Sequence, residues 1–94
     1  MFDSNRYLTC GIEATIPSDL QMFLWECVEL MPAPKDYLQL FVLKQVGSMQ
    51  SITHRSEKPE YHMEYLIPSD KPITQKIYVI HDDDHSTMLL ATEY

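Results

Sequence analysis

The sequence predicts an α+β fold, a mainly antiparallel, curled sheet of five to six strands with one amphipathic helix, residues 18–31, packed on one face. Three observations lead there: a run of apolar residues at three- and four-residue spacing closed by two prolines, several segments of alternating polarity after it, and short connections between those segments. A chain of 94 residues, 45% hydrophobic and 22% charged, has room for a single domain, residues 1–94, around one core.

Tyr7 to Ala14 reads as a first strand. The helix follows. Ser18 after Ile16-Pro17 is its candidate N-cap, with Gln21 as the capping-box partner. Leu20, Phe23, Leu24, Cys27, Val28 and Met31 fall on one side of a cylinder that turns 100° per residue, and Pro32 and Pro34 end it. Met22 and Trp25 lie outside that stripe, beside Glu26 and Glu29; either they pack under a neighbouring loop or they form a contact surface, where Trp and Met are enriched.

Tyr37 to Val46 is the next strand, apolar on both faces: Leu38, Leu40, Val42 and Val46 on one, Tyr37, Phe41 and Leu43 on the other. Gly47-Ser48 turns it into Met49 to His54. Glu60 to Ile67 alternates, with Tyr61, Met63, Tyr65 and Ile67 opposite His62 and Glu64. Ile73 to Asp82 and His85 to Glu93 are the last two strands, joined by an acidic turn. Short connections favour an antiparallel meander. One helix, about 10 Å wide, covers only two or three strands spaced ~4.8 Å apart. The sheet is therefore expected to curl into a partial barrel or to set its second apolar face against another copy, a homodimer.

Composition narrows the function. Fourteen acids against seven bases give a formal charge of −7, a field that repels phosphate backbones and anionic membranes, so direct nucleic-acid binding is disfavoured. No apolar run is long enough to cross a bilayer, and Met-Phe-Asp-Ser-Asn-Arg lacks the basic and apolar regions of a signal peptide; the expected compartment is cytoplasmic. Cys10 and Cys27 read as small buried hydrophobes. Between Arg6 and Lys35 there is no Lys or Arg, while Glu13, Asp19, Glu26 and Glu29 all fall there. That stretch is either a solvated acidic surface or a docking face for a basic protein partner.

Catalytic signatures are sparse. Two glycines, Gly11 and Gly47, cannot build a phosphate loop, and Ser51, Ser69 and Ser86 lack a nucleophile-elbow context. Tyr61 and Tyr65 have no basic groove beside them and read as core or interface residues. The segment His81-Asp82-Asp83-Asp84-His85 stands out. With three aspartates at a hairpin tip, His81 and His85 are expected as cross-strand neighbours on one face, and with Asp84 they could hold a divalent metal or a small ligand if His54 or His62 completed the set. A solvated acidic turn explains the same composition. Two functional classes follow. The first is a protein-interaction module, accessory or inhibitory and without catalysis, using Met22, Trp25, Glu26 and Glu29; the second is a metal- or small-ligand-binding, possibly hydrolytic protein using His81, Asp84 and His85.

Arg6-Tyr7-Leu8-Thr9, Gly11-Ile12, Ile16-Pro17, Leu20-Gln21 and Phe23-Leu24-Trp25 resemble the start of the domain of unknown function 960, short proteins of Gram-positive bacteria and their mobile elements. Asp36-Tyr37-Leu38-Gln39, Pro59-Glu60-Tyr61 and Asp84-His85-Ser86-Thr87-Met88-Leu89-Leu90-Ala91 extend the likeness over nearly the whole chain. The resemblance implies an arginine and an acidic residue where Cys10 and His81 stand here, which makes Asp84, His85 and Ser86 the better candidates for a shared role. It implies no catalytic residue.

Overall fold

A computed structural model of the chain describes residues 5–82 and 84–94. In chain order the elements are β1 (Asn5–Leu8), α1 (Cys10–Thr15), α2 (Ser18–Glu29), β2 (Leu38–Val46), β3 (Met49–Glu57), β4 (Glu60–Pro68), β5 (Gln75–Asp82), β6 (His85–Leu90) and a closing 3-10 turn, Ala91–Glu93. The six strands form one open mixed sheet in the order β1-β6-β5-β2-β3-β4. Every pairing is antiparallel except that of β1 with β6, which is parallel.

The run expected as one strand from Tyr7 to Ala14 divides into β1 and the short helix α1. Thr9 causes the break: its hydroxyl accepts a hydrogen bond from the Ile12 amide at 3.3 Å, as an N-cap does, and the next turn buries Ile12 and Ile16 four residues apart. Cys10, expected inside, is exposed on that turn. Helix α2 ends at Glu29 with Leu30 as its C-cap, two residues short of the expected bound. Its N-cap is Pro17, with no side-chain bond, so the Ser18–Gln21 capping box does not form. Instead the Gln21 side-chain amide donates to the Ile16 carbonyl at 2.8 Å.

Both helices pack on one face of the sheet. Leu24, Trp25, Cys27 and Val28 of α2 join Phe41, Leu43, Ile52, Ile77, Val79 and Met88 in the core. The two-residue turn at Gly47, φ +61°, sets Val46 opposite Met49 and fixes the register of β2 against β3. Pairing with β4 carries β3 on to Glu57, three residues beyond the expected end at His54. The chain then crosses from β4 over the ends of β3 and β2 to reach β5. Buried Gln50 fastens this crossing by donating to the Ile73 carbonyl and accepting from the Ile73 amide, at 3.0 and 2.8 Å.

A polar thread runs through the core. The Gln39 side-chain amide donates to the Asp36 carbonyl at 2.8 Å, which turns its oxygen toward His54 Nε2 at 2.7 Å. His54 therefore carries its proton on Nε2 and presents Nδ1 as a bare acceptor with no hydrogen-bond partner among the described residues. The ring stacks on Phe41 at 4.3 Å, and burial pushes its pKa down to about 4.

Candidate functional site

The residues singled out on the helix separate. Met22 is 64% exposed and Glu26 faces solvent, but Trp25 is only 7% exposed. Arg6 explains why: it sits on the core-facing side of β1, its guanidinium lies 4.8 Å above the indole ring, and it also pairs with Glu29. Of the two readings open for Trp25, packed inside or part of a contact surface, it takes the packed one, under a cationic clamp. Leu30, 77% exposed, is the apolar residue that joins Met22 outside.

The His81–His85 hairpin departs from expectation by one residue. Asp82 pairs with His85 and His81 with Ser86, so the two histidines point to opposite faces of the sheet. His81 Nδ1 lies 3.1 Å from Ser86 Oγ, and His85 rests edge-on against Tyr7 at 5.4 Å, its Nδ1 3.4 Å from Asp84. Asp83 lies outside the described residues. His54 is sealed in the core, and His62 is on β4, four strand spacings or about 19 Å from β6. Among the described residues no three His, Cys, Asp or Glu side chains converge as metal ligands.

Residues that the sequence reading did not single out as a site come together on the other side of the sheet. Helices cover the face that carries Phe41, Leu43 and Ile52; the opposite face has no layer over it among the described residues. There the ladder sets Leu38 opposite Ile80, Leu40 between Tyr78 and Arg55, and Val42 between Lys76 and Thr53, with Lys44 two residues along. These apolar side chains are half-buried. Tyr94 meets Tyr78 edge-on at 5.0 Å and extends the surface. No carboxylate pairs with Lys44, Arg55 or Lys76 among the described residues.

At one end of this face lies a cleft of about 400 Å³. Leu38, Leu40 and Tyr78 line its apolar part, with Arg55, Lys58 and Tyr37 around it. Its wall is rigid because Asp36 binds the β3–β4 turn, accepting the Lys58 amide at 2.8 Å and the Glu57 and Leu38 amides at 3.2 Å. Burial works to raise the Asp36 pKa, but those amide bonds outweigh it and hold the carboxyl below its ordinary range. Asp36 is thereby spent on structure, and the polar groups left to meet a ligand are mixed: Arg55 and Lys58 with Glu57, Ser56 and Tyr37. The sequence signal for this surface was the two-faced apolar pattern of Leu38 to Val46.

Comparison with known proteins agrees with this architecture. A family model described as "Staphylococcal protein of unknown function (DUF960)" matches residues 5–93. The chain belongs to the DUF960 family. The crystal structure of a protein of unknown function from Enterococcus faecalis is similar over 98% of this chain and 92% of its own, with a TM-score of 0.85 and 22% identity. At that identity the likeness concerns the fold alone. No curated protein matches the chain.

Proposed function

We propose that this DUF960 protein is a non-catalytic interaction module, accessory or inhibitory, that works by contact with a protein partner through the open face of its sheet. The observation that carries the reading is the placement of Leu38, Leu40, Val42, Tyr78 and Ile80 on the face without a helical layer, interleaved with Lys44, Arg55 and Lys76. Apolar side chains on two central strands gain about 25 cal/mol per Å² when a partner removes them from water. The same face also carries Glu57, Glu60, Glu64 and Asp82, so its charge is mixed, and the apolar anchors rather than net charge favour a protein partner. The helical surface, with Glu13, Asp19, Glu26 and exposed Met22, is acidic, but the aromatics of α2, Phe23 and Trp25, are turned inward.

The test compares two surface variants in quantitative recovery from host lysate. Leu40→Asp with Arg55→Glu should lose the partner that the wild type recovers. Met22→Asp with Glu26→Lys should retain it. Equal recovery by wild type and the sheet-face variant would remove the open face from consideration. Loss in the helical variant alone would move the contact to the acidic side. Loss of recovery on nuclease treatment would show single-stranded nucleic acid, which aromatic and cationic sheet faces also bind, to be the ligand.

A further inference from the structure

One margin of the sheet is β4, which pairs with β3 and with no other strand. Its outer row of N–H and C=O groups is a template for another strand, and edges of this length are commonly guarded by charges. Here the guard is Glu60, His62 and Glu64 on the open face. On the core face β4 carries Tyr61, Met63, Tyr65 and Ile67. Helix α2 reaches Tyr65 through Phe23, ring centroids 5.3 Å apart, but leaves Met63 43% exposed. The core layer therefore stops short of the sheet's margin.

We infer that β4 pairs antiparallel with β4 of a second copy, the two-fold axis passing at Met63, so that two six-stranded sheets join into one of twelve. The inference is independent of the partner proposed for the open face. Two-fold symmetry makes each register self-complementary: if one residue faces another, the reverse pair occurs too. Centred on Met63, the register sets His62 opposite Glu64 twice, Tyr61 opposite Tyr65 twice, and Met63 against itself. Centred on Glu64, it opposes two carboxylates; centred on His62, it opposes two imidazoles and sets Glu60 against Glu64. Centred on Tyr65, it places His62 opposite Pro68, which has no N–H to give. Of these four, the Met63 register alone sets an imidazole against a carboxylate on one face, with Glu60 meeting Leu66 at its ends, and tyrosine against tyrosine on the other. The polar residues that deter an unrelated strand select this one.

Sedimentation equilibrium over two decades of protein concentration tests the pairing. The wild type should approach twice the chain mass and associate more tightly as salt rises, because two chains of charge −7 repel at long range. His62→Glu should weaken association by about tenfold, and His62→Glu with Glu64→Lys should recover it. In a Cys10→Ser background, Met63→Cys should cross-link to itself on mild oxidation, since directly opposed Cβ atoms lie about 5 Å apart, whereas Leu66→Cys should not. Unchanged far-ultraviolet circular dichroism excludes unfolding of the variants. A wild type of single-chain mass at every concentration and salt would overturn the proposal. So would a dimer in which Leu66→Cys rather than Met63→Cys cross-links.

Discussion

Acidification from about pH 7 to about pH 4.5 should remove about 2 kcal/mol of stability through one side chain, His54. The folded core holds this imidazole neutral, stacked on Phe41 with Nε2 bonded to Gln39, and burial takes its pKa from 6.5 to about 4. Unfolded, it accepts a proton near 6.5. Its neutral form therefore supports folding fully above that value, the support falls as the pH drops toward 4, and it is gone below. At about 1.4 kcal/mol per pH unit the whole window corresponds to about 3 kcal/mol. Asp36 and Glu93 shift the same way about a lower point: each carboxyl is held below its ordinary range, so its contribution persists above an unfolded pKa near 4 and is lost only under it. The interval between about 6.5 and 4.5 thus isolates His54 from these two carboxylates. Urea unfolding followed by the fluorescence of Trp25, the only tryptophan, measures the effect. The midpoint should fall steadily across that interval in the wild type and stay level in His54→Gln, which keeps a donor for Gln39. A level wild-type midpoint, or an unchanged slope in the variant, would refute the reasoning.

Four other outcomes are expected. Asp36→Ala should cost about 2 kcal/mol, because three backbone amides lose a charged acceptor, and amide exchange should quicken at Glu57 and Lys58. Gly11→Ala should cost about 1 kcal/mol, since the new methyl would come within 2.8 Å of the Glu93 carboxylate that Gly11, Thr9 and Leu90 hold. In a Glu93→Ala background the same change should stabilise instead, as alanine is the better helix former; urea midpoints of the four proteins decide this. Arg6→Ala should cost about 1 kcal/mol and raise quenching of Trp25 by acrylamide. Of the two thiols, exposed Cys10 should react with a chromogenic disulfide in the native protein, while Cys27, buried and pushed up to about 11 chiefly by that burial, should react only on unfolding.

Local signals made much of the fold readable. The stripe from Leu20 to Val28, the turn at Gly47-Ser48 and the alternation from Glu60 to Ile67 place α2 and the β2–β3–β4 meander within a few residues. Non-local decisions were not readable. That β5 inserts beside β2, leaving β6 to meet β1 in parallel, depends on a crossing fastened by Gln50, whose side chain looks like any polar strand residue. Thr9 ends a strand that Tyr7 and Leu8 begin, and a hydroxyl can do that or leave the strand intact. The candidate site was less legible for the same reason. A one-residue difference in hairpin pairing puts His81 and His85 on opposite faces. Trp25 sits at the margin of its helical stripe, and only the arrival of Arg6 from a distant strand turns that margin inward.

The pairing of β1 with β6 also bears on how the molecule comes into being. During synthesis the opening strand has no ladder neighbour until the final hairpin has been made, and Glu93, which holds Thr9, follows later still. A growing chain must carry its oily helix uncovered while most of the supporting strands are unmade, and contacts of such long sequence separation form slowly. Closure of the β1 margin thus waits until Glu93 has been made, and loss of the 91–94 segment should loosen β1 and α1 first.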